Sequence, residues 1–245
     1  MTTETLQDQT IRPVQREGNI VLAASRLYLT ITIPIILTLI SVRLVMTPLF
    51  IEFEYNRSGF PEDRYGFTQQ ERLTYAPYAL DYLFNDAGIE YLGDLTFEDG
   101  SPLYNERELK HMVDVKVVTQ WAFAILGMMI ALFASVMILL ALRPATRPWL
   151  REGLFGGSLL TLGIISAIVG VAIVAWDTFF TAFHDLFFAS GTWRFAYSDT
   201  LIRLFPEQFW FDAALTVGAL TTIAACLILF STWRWANRAP VQVKT

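Results

Sequence analysis

Three long stretches without a charged residue constrain this chain more than any other feature of its sequence. They cover Val117–Leu142, Leu154–Trp176 and Ala213–Trp233. Each is longer than the roughly 20 apolar residues that an α-helix needs to cross a bilayer. A fourth apolar stretch, Leu27–Ile51, is interrupted only by Arg43. The sequence therefore predicts four transmembrane helices.

The composition agrees with a membrane protein, since 54% of the 245 residues are hydrophobic and the mean hydropathy is +0.43. We predict an all-α membrane protein with a single integral membrane domain. The transmembrane helices are expected at about 21–47, 113–142, 154–178 and 208–235. The third is rich in glycine, serine and threonine, which favours close helix packing in lipid. Two outer loops follow at about 48–112 and 179–207, and the larger one is expected to cap the outer face.

The distribution of Lys and Arg predicts the orientation of the helices. Taken together, the N-terminal segment, the link between the second and third helices and the C-terminal tail carry nine Lys and Arg residues and only four acids. Both termini are therefore expected in the cytoplasm, with the two acidic loops outside. The net charge of −5 comes from those loops and argues against a nucleic-acid partner.

The larger outer loop is rich in Phe and Tyr, which favours a cap that lies at the membrane interface. Within it, Thr68–Leu73 and Ala79–Phe84 have the pattern of two short helices. The chain's single cysteine, Cys226, lies in the last apolar stretch, so the sequence offers neither a disulfide framework nor a Cys/His zinc pattern.

The two histidines are the main candidates for chemistry, and both are predicted at outer helix ends. His111 lies just before the second apolar stretch, and helical spacing puts Glu108 on the same face. His184 follows the third stretch on a face that it shares with Phe180 and Phe188. Because a tight basic turn joins the second and third helices, the two histidines are expected to meet at the outer interface. The side chains predicted around them are Arg43, Glu108, Asp114, Asp185, Trp193 and Arg194.

Histidine is a natural general base near neutral pH, and no nucleophile motif accompanies this pair. The pattern therefore favours a reaction in which the substrate supplies its own nucleophile. Arg43 lies about one turn below the outer helix end, where it could anchor the helix or stabilise negative charge. Two alternatives remain open: the histidines could ligate a haem for electron transfer, or a metal ion for sensing or transport. An absorption spectrum would separate the haem reading from the others.

Three separated motifs resemble those of the Lit family of bacterial lipoprotein intramolecular transacylases. They are Y-N-E-R-E-L-x-H-M-x-D-V-K at 104–116, F-H-x-L-F-F at 183–188 with Trp193 after it, and L-I-x-L-F-P-E-x-F-W at 201–210. The resemblance spans about 43–212 and includes both histidines.

The resemblance implies an acyltransferase that needs no cofactor and no metal. Its substrate is a lipoprotein whose N-terminal cysteine bears an S-diacylglyceryl group, and membrane lipid surrounds the site. The enzyme moves the sn-2 acyl chain to the α-amine of that cysteine, which leaves the lyso-form, N-acyl S-monoacylglyceryl product. The resemblance makes His111 and His184 the base and the proton shuttle, in an order that the sequence leaves open. Supporting or oxyanion-binding roles are expected for Arg43, Glu108, Asp114, Asp185 and Arg194, and substrate contacts for Phe180, Phe188 and Trp193.

Overall fold

The computed structural model describes residues 3–238, with side chains described for residues 18–237. Over that range the fold is all-α, as the sequence predicted. The elements are α1 (Thr3–Val45), α2 (Pro48–Asn56), α3 (Gln69–Tyr82), α4 (Glu90–Gly93), α5 (Glu106–Leu142), a 3-10 turn (Pro144–Thr146), α6 (Arg147–Val174), α7 (Trp176–Phe187), α8 (Thr200–Leu204) and α9 (Glu207–Arg238).

Four helical segments are long and apolar enough to cross a membrane, which confirms the four predicted spans. They are Gly18–Val45, Glu106–Leu142, Pro144–Val174 and Glu207–Asn237. Many of their large apolar side chains are exposed, as a lipid-facing surface requires, because no water surrounds a helix in the hydrocarbon region. The second helix begins at Glu106, close to the start expected near Pro102 or Asn105 and ahead of the predicted membrane span at 113–142, so His111 lies inside a regular helix.

The turn between α5 and α6 satisfies the last carbonyl groups of α5 with side chains. Pro144 cannot continue the helix, because its nitrogen carries no hydrogen. The hydroxyl of Thr146 donates to the Leu140 carbonyl at 2.7 Å. Nε of Arg147 donates to the Ala141 carbonyl at 3.0 Å. These bonds fill acceptors that every helix C-terminus leaves free.

The described chain divides into two compact units, the first formed from parts of 1–38, 127–165 and 221–245. Its buried apolar cluster contains Leu29, Leu140 and Leu150. Glycine allows α6 to approach α1 closely in this unit. A Cβ atom placed on Gly157 would lie 2.5 Å from Cδ1 of Ile33. The predicted close packing of the third transmembrane helix is thus observed here.

The second unit comprises residues 39–126 and 166–220, and it contains both histidines. Two buried clusters form its core, and aromatic rings contribute much of both. The first includes Phe67, Tyr82, Leu92, Leu103, Tyr104, Met112, Leu201 and Leu204; the second includes Phe50, Ile51, Tyr55, Ala76, Phe209 and Ala213. The loop between α1 and α5 is therefore a packed cap rather than a solvated connection.

Polar contacts also hold this cap in place. The carboxylate of Asp63 lies 3.0 Å from the Arg203 guanidinium, and the two side chains are only 4% and 11% exposed. Asp63 accepts a further hydrogen bond from the Phe67 backbone N–H at 2.7 Å. Arg57 pairs with both Glu54 and Asp212. A buried charge is tolerable only with such partners, and these pairs tie the cap to α8 and α9.

The cap differs from the sequence prediction at one point. Instead of two short helices at 68–73 and 79–84, a single helix, α3, runs through the segment. Thr68 and Glu71 form a capping box at its start, which supplies partners for two free N–H groups. Pro77 lies inside α3, and the helix continues past it although proline lacks the N–H donor and crowds the carbonyl one turn earlier.

Candidate active site

His111 lies on the second turn of α5 in an aromatic, largely buried environment. The side chain is only 9% exposed. The centre of its ring is 4.9 Å from that of Phe188 and 5.3 Å from that of Phe195, both in edge-to-face geometry. Nδ1 is buried and has no hydrogen-bond partner among the described residues. Buried polar atoms are normally paired, so this unpaired nitrogen distinguishes His111 from an ordinary core side chain.

A buried carboxylate one turn earlier fixes the position of this part of α5. Glu108 is 1% exposed, yet both of its oxygens are satisfied. Oε2 accepts the Asn105 backbone N–H at 2.9 Å, and Oε1 accepts the Leu201 backbone N–H at 2.7 Å. The Asn105 side chain in turn accepts the Glu108 N–H at 3.1 Å. Glu108 therefore completes the N-terminal cap of α5 and joins it to α8.

His184 lies on α7, and a backbone contact fixes its tautomer. Its Nδ1 is 2.8 Å from the carbonyl oxygen of Phe180. Because a carbonyl oxygen can only accept, Nδ1 must carry the hydrogen in the neutral ring. Nε2 then carries the lone pair. This is the tautomer that a general base requires, since its second nitrogen remains free to accept a proton.

Aromatic rings enclose His184 on two sides. The Phe180 ring centre lies 4.1 Å away, and the Trp193 ring centre lies 4.6 Å away at an interplanar angle of 32°. Trp193 is held in turn by Asp185, whose Oδ1 accepts the indole N–H at 3.1 Å. A hydrogen-bonded indole so close to parallel with the imidazole restricts how the imidazole can tilt.

The structure brings the two histidines into one cluster, and Phe188 contacts both. Its ring centre is 4.9 Å from that of His111 and 6.0 Å from that of His184. Two imidazoles therefore line one aromatic site, one at the start of α5 and the other on α7.

Burial governs the protonation of His184. Removal from water lowers its pKa, whereas the Phe180 carbonyl and the nearby charge of Asp185 act in the opposite direction. The net effect is a pKa below the ordinary histidine value, so the ring is neutral near pH 7. A neutral imidazole is the form that can remove a proton from a substrate.

Some predicted site residues lie farther from this cluster. Nη1 of Arg43 donates to the Met46 carbonyl at 3.0 Å, and its guanidinium lies 4.4 Å from the centre of the Phe84 ring. Among the described contacts none joins Arg43 to either histidine. Arg194 lies over Trp193, with its guanidinium carbon 5.0 Å from the ring centre. Asp114 is half-buried three residues after His111, which places it on a neighbouring part of the same helix face.

Sequence reasoning did not identify two features of the site. The Phe195 ring contacts His111, although nothing in its local pattern distinguishes it from other core aromatics. The capping role of Glu108 was also missed, although N-x-x-E before an apolar stretch, here Asn105 to Glu108, is a close variant of the capping-box pattern.

The alternative of a metal site finds no support in the described residues. They contain no group of three or more His, Cys, Asp or Glu side chains that could hold an ion. Phe188, rather than a carboxylate, is the side chain that contacts both imidazoles.

Comparison with known sequences supplies a family. The family described as "Lipoprotein intramolecular transacylase Lit" matches residues 27–210, a range that contains all ten predicted site residues. A protein of Aquifex aeolicus (strain VF5), described only as an uncharacterized protein, is 35% identical over 207 residues, which cover 84% of this chain and 91% of that protein.

Comparison with solved structures agrees on the fold. The structure described as the membrane integral lipoprotein intramolecular transacylase Lit from Bacillus cereus matches with a TM-score of 0.74 at 19% identity, over 90% of this chain and 97% of that one. A variant of the same protein with one histidine replaced by alanine matches with a TM-score of 0.66 at 19% identity, over 91% of this chain and 96% of that one. The fold described above is therefore that of a membrane-integral Lit protein.

Proposed function

Because the chain belongs to the Lit family, we propose that it is a lipoprotein intramolecular transacylase that converts diacylglyceryl lipoproteins to their lyso-form. In this reaction the α-amine of the N-terminal cysteine attacks the sn-2 ester carbonyl of the S-linked diacylglyceryl group. A new amide bond forms, the ester C–O bond breaks, and the glycerol oxygen takes up a proton. The observation that carries the proposal is His184, whose Nε2 carries the lone pair, packed against the same Phe188 ring as a second imidazole.

His184 acts as the base in this proposal. An ammonium cannot attack a carbonyl, so the amine must lose a proton before or while the N–C bond forms. Nε2 of His184 is suited to accept that proton, because the Phe180 carbonyl holds the opposite nitrogen protonated. Asp185 supports this geometry through Trp193, whose ring packs on the imidazole.

His111 relays a proton to the leaving oxygen. It donates its N–H to the glycerol oxygen and takes up, on its other nitrogen, the proton that His184 removed from the amine, so both rings end neutral. A neutral imidazole carries one N–H and one lone pair, and Nδ1 of His111 has no hydrogen-bond partner among the described residues. A donor directed at the developing oxyanion, and then at the glycerol oxygen, lowers the barrier because it stabilises negative charge that exists only during the reaction.

We assign Arg43 and Arg194 as cationic support, Asp114 and Glu108 as orienting groups, and Phe180, Phe188 and Trp193 as walls against the glyceryl and acyl groups.

The acyl chain moves directly from oxygen to nitrogen. The only cysteine, Cys226, lies within the apolar part of α9, which is no place for an acyl-enzyme nucleophile. The amine and the ester are attached to the same cysteine, so their effective concentration is already high and positioning contributes much of the rate. Such a reaction consumes no water and no second lipid.

The site is proposed to face outward from the bacterial cytoplasmic membrane, with both termini in the cytoplasm, on the basis of the Lys and Arg distribution. Cysteines introduced at Ala145 and Ser101 in a Cys226→Ala background test this. An impermeant thiol reagent added to intact spheroplasts should label the Ser101 position only. Labelling of the Ala145 position instead would reverse the orientation.

The activity is tested with the purified protein and a synthetic diacylglyceryl lipopeptide in vesicles. The free α-amine should disappear with time, as measured with an amine-reactive dye, and His184→Ala should leave it intact. If the wild-type protein leaves the amine free under conditions in which it is folded, the proposed reaction is wrong.

A further inference from the structure

Helix α7 carries an apolar stripe that no other part of the described chain buries. Phe183 is 50% exposed, Leu186 75% and Phe187 45%. Leu186 and Phe187 lie three and four residues after Phe183, so all three lie on one side of the helix. No residue of α7 is buried. In a water-soluble protein such a stripe would mark an interaction surface.

The stripe begins where a membrane-spanning helix ends. The span Pro144–Val174 stops one residue before α7, and only Ala175 separates them. Val174 itself is 86% exposed and apolar. Since the break is a single residue, the start of α7 cannot be far from the level at which α6 leaves the hydrocarbon. The apolar surface of α6 therefore continues directly into that of α7.

A row of aromatic rings runs along α7 from its first residue. Trp176 packs on Phe179 at 5.7 Å between ring centres, Phe179 on Phe183 at 6.4 Å, and Phe183 on Phe187 at 5.2 Å. A row of Trp and Phe side chains at the end of a transmembrane helix is the pattern of an interfacial belt, because such rings are favoured at the headgroup level.

The other faces of α7 are polar and carry the chemistry. Asp177 lies half a helical turn away from Leu186, because nine residues at 3.6 per turn amount to two and a half turns. Asp185 and His184 also lie outside the apolar stripe. A helix with one aromatic, apolar side and acidic or polar groups elsewhere fits an orientation parallel to the membrane surface.

We propose that α7 is an interfacial helix whose Phe183, Leu186 and Phe187 insert into the lipid leaflet that adjoins the active site. The occupant of this face is the phospholipid bilayer. In this position α7 holds His184 at the depth where the glycerol esters of membrane-anchored molecules lie. The lipid around α7 thereby helps to hold His184 in position. The position of α7 at the membrane surface does not depend on the proposed reaction. The expected effect of that position on turnover does rest on the proposed transacylase function.

A depth measurement tests the placement without reference to activity. A fluorescent thiol probe is attached to Leu186→Cys and, as the matched control, to Asp177→Cys, each in a Cys226→Ala background and reconstituted into phosphatidylcholine vesicles. The probe at position 186 should be quenched by brominated acyl chains and protected from aqueous iodide, whereas the probe at 177 should show the reverse. Equal iodide quenching at the two positions would overturn the proposal.

Turnover provides a second, separable test. Leu186→Glu should lower the rate with a vesicle-embedded diacylglyceryl lipopeptide by about tenfold, because an ionised carboxylate is expelled from apolar surroundings. Leu186→Met should stay close to the wild-type rate. If the wild-type protein is active and Leu186→Glu matches it, the interfacial role is wrong. If the wild-type protein is inactive, the proposed reaction fails, and the depth measurement alone decides the position of α7.

Discussion

The start of α5 and the whole of α7 each carry one of the two histidines, but they are built in opposite ways. At the start of α5, Glu108 is buried with both oxygens paired, and His111 is 9% exposed. On α7 nothing is buried, and His184 is held by one carbonyl and two flanking rings. One imidazole belongs to a packed core, whereas the other lies on a helix with an exposed apolar side.

This difference supports the division of roles that we propose for the two histidines. The protein core fixes His111, which can therefore present a donor at a constant position. His184 has its tautomer set within its own helix, so it keeps its function as a base even where packing is sparse. The hydrogen bond to the Phe180 carbonyl thus holds the His184 ring in place, just as the buried Glu108 carboxylate holds the first turns of α5.

Replacing either histidine should cause the largest loss of activity. A clear difference between the two variants would contradict a shared proton path. His184→Ala and His111→Ala should each lower kcat/KM by about 10²–10⁴-fold, the usual contribution of general acid–base catalysis. The double variant should be little worse than either single one, because both groups serve one proton path. Rates from the amine-blocking assay check this. Near-full activity of either single variant would remove that residue from the mechanism.

Glu108→Ala tests how much the buried Glu108 carboxylate stabilises the start of α5. The change leaves the buried N–H of Leu201 and the part-buried N–H of Asn105 without an acceptor, which should lower the free energy of unfolding by about 1–4 kcal/mol. Glu106→Ala is the matched control, since Glu106 is exposed on the same turn. Thermal unfolding in detergent measures both. An equally small shift for the two variants would contradict the capping role of Glu108.

Asp185→Asn should have a smaller effect on activity, and it tests how the charge of Asp185 acts on His184 in α7. The charge of Asp185 raises the pKa of His184, in opposition to the stronger lowering by burial. Activity requires neutral His184, so the rate should rise with pH through that pKa, which lies below the ordinary value. Loss of the charge should move this acid limb to still lower pH and make the base weaker, with a rate loss of less than about tenfold. A pH–rate profile of kcat/KM for both forms gives the answer; an unchanged limb would mean that Asp185 does not influence the base.

Arg43 should have the smallest effect of the predicted site residues. Its contacts are with Met46 and Phe84, so any influence on the reaction acts at a distance. We expect Arg43→Gln to reduce turnover a few-fold and Arg43→Lys to reduce it less, because a cation near the ester stabilises developing negative charge. Equal rates for all three forms would assign Arg43 to capping α1.

The architecture was largely accessible from sequence, and the site only in part. Uncharged stretches report transmembrane helices directly, because few other structures tolerate that composition. The rarity of histidine and the tight turn after Leu142 sufficed to pair His111 with His184. The continuous helix through Pro77 was not foreseen, because it depends on the capping box at Thr68 and on packing in the core. The partner of His184 was also inaccessible, since a backbone carbonyl leaves no trace in residue identity.

The central claim is direct transfer of an acyl chain within one lipoprotein molecule. Mass spectrometry of a diacylglyceryl lipopeptide before and after incubation with the protein, in vesicles that contain isotope-labelled phospholipid, tests it most directly. The intact mass should stay the same, the fragments should show one acyl chain moved from glycerol to the α-nitrogen, and no label should enter the product. A product heavier by one acyl chain, or one that carries label from the phospholipid, would contradict the account and identify an intermolecular acyltransferase.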